Sequence, residues 1–183
     1  MAAKTEDKRV RRTKRAIREA LLRLIMDKPI AGVTITELCR EANINRNTFY
    51  AHYSTPEDVL AEMEDELLAE MSSILDDDRG DGEVTLAMCR AIAASTKRWH
   101  ALWRGNSNLI ERAIALCRER TLIRWDMQKM RDLEMDEIFL CFITIGASGV
   151  VEKWLEDDCE MPPEQLGSLI NKFVFEGMRA ISK

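Results

Sequence analysis

The chain has 183 residues, 46% of them hydrophobic and 32% charged, with 8 Gly and 4 Pro. That is enough apolar material for one medium domain or a small domain joined to a larger one, and the scarcity of alternating Val, Ile and Thr excludes a sheet-rich class in favour of an all-α fold. A net charge of −5 argues against a nucleic-acid partner for the chain as a whole, yet residues 1–56 carry 12 Lys and Arg against 6 Asp and Glu (+6) and the rest 15 against 26 (−11), so a basic module that meets a polyanion stands beside an acidic body that does not.

Residues 1–8 read as a loose arm. A first helix follows over about 9–27, with Val10, Ile17, Leu21, Leu24 and Ile25 on one face and Arg11, Arg12, Lys14, Arg15 and Arg18 crowding its first half. Pro29 and Gly32 end it. In "VTITELCREA", Thr34 and Glu37 have the spacing of a capping box, and Val33 and Leu38 that of a hydrophobic staple. This second helix is short and ends near Ala42, where Asn43 is the best substitute for Gly at a left-handed turn. The device then repeats: Asn45 is an N-cap, and Ile44 with Phe49 forms a second staple. Two short capped helices joined by about three residues make a helix-turn-helix.

Phe49 should face inward and leave Arg46, Asn47, Thr48 and Tyr50 outward on the first turns, where the second helix of such a motif meets base edges in the major groove. Arg pairs well with guanine, Asn with adenine, and Thr offers a hydroxyl or a methyl group. Tyr50 and His52 suit phosphate oxygens or a thymine methyl, and Tyr53 should pack inward. "STPEDVL" opens a fourth helix with Thr55 as N-cap and Pro56 at its first position, running to about residue 76.

"DDDRGDGE" (76–83) breaks the chain; position twelve from Asp76 is Ala87 and not Glu, so it lacks the ligand order of a calcium loop. Further helices are expected over roughly 83–103, 107–130, 136–158 and 164–181. The stretch Ile138 to Leu155 is apolar nearly all round and should be buried on most sides, with close approach by another helix offsetting the cost of Gly146 and Gly149. Trp99, Trp103, Trp125 and Met127 are candidates for an aromatic ligand site, although Met and Trp at helical spacing serve a plain core as readily.

The five cysteines have no CxxC spacing, and with His52 and His100 they form no zinc set. Free, mostly buried thiols in a reducing cytosol are expected. The longest uncharged run, Ile138 to Val151, has 14 residues, short of the roughly 20 that span a bilayer. The charged N-terminus has no signal-peptide pattern. No phosphate loop, H-E-x-x-H or nucleophile triad is readable, so neither an enzyme nor a bound cofactor or metal is expected.

"VTITELCREANINRNTFYAHYSTPEDVL" resembles the DNA-binding signature of the TetR family of bacterial transcriptional regulators, most specifically at "TFYAHY", Thr48 to Tyr53. The resemblance covers roughly residues 9–60; beyond them only the architecture is similar, with the late apolar helix ending "GVVEKWLEDD". It implies a DNA-binding domain over 1–55 and a helical ligand-binding and dimerisation domain over 56–183, in an Ω-shaped cytoplasmic homodimer. It also implies a repressor released from a palindromic double-stranded operator by a small-molecule effector. Thr34 and Thr36 would lie near phosphates, Arg46, Asn47 and Thr48 in the groove, and Tyr50, His52 and Thr55 at the flanking backbone, with Arg11 and Arg12 adding phosphate contacts. The last two helices would form the dimer interface, through Phe142, Gly146, Gly149 and Val150 on one and Ile170, Phe173 and Val174 on the other. Two positions depart from the pattern: Asn43 stands where Gly is common, and Pro56 where Lys is common. A protein of this fold that binds another regulator in place of DNA is the alternative.

Overall fold

The computed structural model describes residues 2–77, 80–104, 109–124 and 133–181. All the regular structure in these residues is helical: α1 (Ala2–Asp27), α2 (Ile35–Glu41), α3 (Arg46–Tyr50), α4 (Pro56–Leu75), α5 (Asp81–Ala94), α6 (Thr96–Arg104), α7 (Leu109–Arg124), α8 (Leu133–Glu156) and α9 (Pro163–Ile181), with one 3-10 turn at Ile30–Gly32. The all-α expectation holds.

Four expectations need correction. The N-terminal arm is helical from Ala2, not loose; Ala, Lys, Glu and Arg are good helix formers, and no Gly or Pro precedes Pro29. The helix expected over 83–103 is two helices, α5 and α6. Ser95 leaves helical geometry at φ −141° and ψ 38°, and the Thr96 hydroxyl donates to the Ala93 carbonyl at 3.1 Å, the local competition with the backbone by which Ser and Thr interrupt helices. The thiols are free, but only Cys39 and Cys89 are buried; Cys117 and Cys159 are half-buried and Cys141 is exposed. Finally, α8 is not enclosed by its own chain: Ile138, Phe142 and Ile145 are 66%, 74% and 55% exposed.

Two compact units divide the chain. The first holds the helices up to Leu67 together with Ala101, Leu102 and Trp103 at the end of α6. Its core gathers Ile17, Leu21, Leu38, Phe49, Val59, Leu67 and Leu102, all fully buried. Side chains of this size are each worth about 1.5–3 kcal/mol on burial. Helix α4 starts at the expected boundary between 55 and 56, and its first twelve residues belong to this unit.

The second unit holds the chain from Leu68 to His100 and from α7 onward. Helix α5 packs along α9, and α8 on α7 and α9. Gly167 lets α9 come close to α5: a Cβ there would stand 3.3 Å from the Leu86 Cα. The α8–α9 turn is closed by Asp158 and Cys159, both at positive φ, and by the Trp154 indole N–H, which donates to the Met161 carbonyl at 2.8 Å. By length and composition α8 could cross a membrane over Glu137–Glu156. Leu140, Trp154 and Leu155 are nonetheless buried against its own chain.

Candidate nucleic-acid interface

The first unit is assembled from short-range devices. Thr34 and Glu37 form the full capping box. The Thr34 hydroxyl accepts from the Glu37 amide at 3.2 Å, and the Glu37 carboxylate accepts from the Thr34 amide at 3.1 Å and from its hydroxyl at 2.8 Å. Lys28 Nζ closes on the same carboxylate at 2.8 and 2.9 Å. Lys28 and then the Thr34 amide hold the pKa of Glu37 down to about 2. Asn43 makes the turn at φ 53°. Asn45 caps α3, with Oδ1 accepting from the Thr48 amide at 2.7 Å and its hydroxyl at 3.0 Å.

Phe49, at the fourth position of α3, is fully buried, and Tyr53 is 6% exposed beside it. That anchoring sends the other side of α3 outward: Arg46, Asn47 and Tyr50 are exposed and Thr48 is half-buried. Arg46 donates to the Tyr50 hydroxyl at 3.3 Å. Thr36 and Thr55 are exposed and His52 is half-buried. The hydroxyls of Thr34, Thr48 and Thr55 already serve the caps, the last accepting from the Asp58 amide at 3.2 Å. In return, the Asp58 carboxylate accepts from the Ser54 and Thr55 amides at 2.9 and 2.8 Å. Thr55 and Asp58 thus form a reciprocal T-x-x-D box at the start of α4.

A second layer of charge lies between α1 and α4. Glu62 accepts from Lys14 at 2.9 Å and from Arg18 at 2.5 Å, and Glu66 accepts from Arg18 at 2.8 Å. Burial opposes the charge of Glu62, but Lys14, Tyr53 and Arg18 outweigh it and keep its pKa below the ordinary carboxylate value. Lys14 Nζ also stands 5.1 Å from the Tyr53 ring centroid. The basic cluster of α1 is therefore split. Lys14 and Arg18 serve the inside of the unit, Arg15 pairs with Glu19, and Arg11 and Arg12 are exposed.

Residues 17–63 match the family profile described as "Bacterial regulatory proteins, tetR family". Residues 17–63 are a TetR-family segment. Over 58 residues the chain is 43% identical to the uncharacterized HTH-type transcriptional regulator YxbF of Bacillus subtilis (strain 168), spanning 31% of this chain but only 15% of that protein. Beyond the TetR-family segment the likeness is one of fold. A TetR transcriptional regulator from Streptococcus agalactiae 2603V superposes with a TM-score of 0.71 at 19% identity, over 94% of this chain and 98% of its own. The fatty acid degradation regulator FadR from Bacillus halodurans gives 0.66 at 15% identity, over 91% and 96%. The dihydroxyacetone kinase operon activator DhaS gives 0.62 at 16% identity, over 92% and 97%. These neighbours fit a helix-turn-helix unit followed by a helical one.

Pro56, where TetR-family sequences commonly have Lys, is buried at the first position of α4. Among the ligand candidates, Trp99 is 2% exposed and Trp103 9%, in different units; Trp125 and Met127 lie outside the described residues. The buried Trp103 indole N–H meets no hydrogen-bond acceptor among the described residues. Of the dimer candidates, Phe142 and Phe173 are 74% and 64% exposed. Gly146 and Gly149 are also exposed, and Val150, Ile170 and Val174 are half-buried.

Proposed function

We propose that this protein is a sequence-specific DNA-binding transcriptional regulator that acts as a homodimer on a palindromic operator. The observation that carries the reading is the outward tip of α3: Arg46, Asn47 and Tyr50 stand exposed over a buried Phe49. Arg46 and Asn47 then read base edges, with Thr48 beside them. Tyr50 stands against Arg46. His52, Thr36 and Thr55 lie at the backbone, with Thr34 at the start of α2, and Arg11 and Arg12 add charge. The operator is a duplex, the setting is the cytoplasm, and neither a catalytic step nor a cofactor is needed.

The second copy is supported by the apolar face of α8 and α9. A face carrying Ile138, Phe142, Ile145 and Phe173 in the open is larger than isolated surface apolars explain. The matching observation is at Gly146 and Gly149, where a Cβ would meet nothing within 4 Å in the chain itself. Two glycines that cost the helix stability and face no neighbour suit a crossing helix from a partner copy.

Repression relieved by a small molecule is the default mode. The middle helices hold the effector, with Trp99, Trp103, Trp125 and Met127 as candidates. The buried Trp103 indole N–H, which meets no acceptor among the described residues, is a donor that a polar group on the effector would engage. Selection of bound duplexes from a random pool, with and without candidate effectors, tests the whole reading. The expected result is a palindrome whose recovery falls when the effector is added. A pool that returns unenriched at moderate salt overturns it.

A second reading is that the protein binds another regulator and not an operator. It is favoured by Pro56, which removes one commonly charged side chain from the expected phosphate contacts. A stable heteromer formed while duplex DNA is ignored would establish it.

A further inference from the structure

The reading helix offers few outward groups, and two of them are tied together. Arg46 Nη2 donates to the Tyr50 hydroxyl at 3.3 Å, and the guanidinium carbon stands 6.0 Å from the Tyr50 ring centroid. The ring in turn meets Phe49 edge-on, with centroids 5.8 Å apart and planes at 75°. Phe49 is fully buried, whereas Tyr50 is 50% exposed. A run of contacts therefore leads from the core, through the Tyr50 ring, to a guanidinium on the surface.

An arginine loses much rotamer freedom when it is fixed against a ligand, and holding it beforehand removes part of that cost. The guanidinium has five N–H donors in a planar fork. Tyr50 takes one and leaves the fork able to reach O6 and N7 of a guanine together. Thr48 differs: its hydroxyl proton is committed to Asn45 Oδ1 at 3.0 Å, which leaves it a methyl group and acceptor lone pairs.

We propose that Tyr50 is a positioning residue that holds Arg46 for a two-pronged contact with one guanine in each half-site, so that discrimination there depends on a hydroxyl that touches no base. The inference rests on the operator reading above and adds to it the base read and the group that orients the reader.

The test compares the wild type with Tyr50→Phe and Arg46→Lys on the duplex that the wild type selects and on its three single-base changes at the selected guanine. Tyr50→Phe keeps the ring and removes the hydroxyl. It should lose about threefold to tenfold of the preference at that one base pair, with binding to random duplex and its salt dependence unchanged. Arg46→Lys, which lacks the fork, should lose at least as much at the same base pair. In the Arg46→Ala background Tyr50→Phe should have no further effect. Thermal melts of all variants check that the fold is kept. Equal weakening on every duplex would instead make Tyr50 a backbone contact, and unchanged preference would make the pair inert; either overturns the proposal. A wild type that enriches no sequence overturns the operator reading and this inference with it, whereas enrichment equal to that of Tyr50→Phe overturns the inference alone.

Discussion

Asn43 holds φ 53° between α2 and α3, a conformation that costs most L-residues about 1–2 kcal/mol and Gly almost nothing. TetR-family sequences commonly have Gly here, and Asn is the side chain that tolerates the turn best after it. Asn43→Ala should lower the stability of the first unit by about 1 kcal/mol, and Asn43→Gly should leave it equal or slightly higher. Urea denaturation of the two variants beside the wild type decides the matter; equal midpoints for Ala and Gly would mean that the turn carries no strain. Glu37 supplies a second case. Its pKa falls from an ordinary 4.5 to about 2 because Lys28 and the Thr34 amide favour the carboxylate. A lowered folded-state value contributes stability that is complete above about pH 4.5 and is lost as pH falls through about 2. Glu37→Gln should remove that pH-dependent part. The variant should lose less stability than the wild type between pH 4.5 and 2, read as the shift of thermal midpoint with pH, and parallel curves would show that the box and the Lys28 pair do not couple to folding.

Helices α2 and α3 form because each N-terminus is closed within four residues, by the Thr34–Glu37 box and by the Asn45 cap. Helix α8 obeys a different logic. Its outward apolar side chains gain nothing from their own chain, so its place in the molecule depends on what covers them. Gly146 and Gly149 make the point, since Ala in their place would add about 1 kcal/mol of helix stability each and would meet no neighbour in the chain. Gly146→Ala should therefore weaken self-association while leaving or raising the helical content. Phe142→Asp should weaken self-association more completely. Sedimentation equilibrium reads both, and a Gly146→Ala protein that associates as tightly as the wild type would place the helix crossing elsewhere. Gly177 is the opposite case: a Cβ there would stand 2.6 Å from the Phe139 ring, so it is occupied by α8 of the same chain.

Charge is divided along the chain, +6 over residues 1–56 and −11 over the rest. Much of the positive surplus is not free for a polyanion, because Lys14 and Arg18 are taken by Glu62 and Glu66, Arg23 by Glu41, and Lys28 by Glu37. Under the operator reading, Arg11 and Arg12, both exposed in the first half of α1, are expected to act at phosphates. Replacing both with Ala should flatten the dependence of log affinity on log salt by about two units and weaken binding alike for all sequences. A changed base preference with an unchanged slope, measured by titration of the selected duplex across salt concentrations, would remove them from the backbone contacts.

The legible features share one property: each is settled by groups no more than about five residues apart. The Thr34–Glu37 box, the Asn45 cap, the left-handed turn at Asn43 and the inward Phe49 could all be read from the amino acids in order, and with them the helix-turn-helix and the outward Arg46 and Asn47. The T-x-x-D box at Thr55 and Asp58 is equally local. The break at Ser95 was missed because a single Ser within Ala-rich sequence is a weak signal, and its effect depends on how Thr96 bonds to the turn before it. The helical arm was missed because charge was read as disorder where propensity favoured helix. No reading of neighbours could have paired Lys14 and Arg18 with carboxylates 44 to 48 positions away, or shown that the apolar face of α8 stands open. Those outcomes require distant segments to be brought together or left apart. That is a property of the folded chain, since ion pairing and burial act across space and not along the sequence.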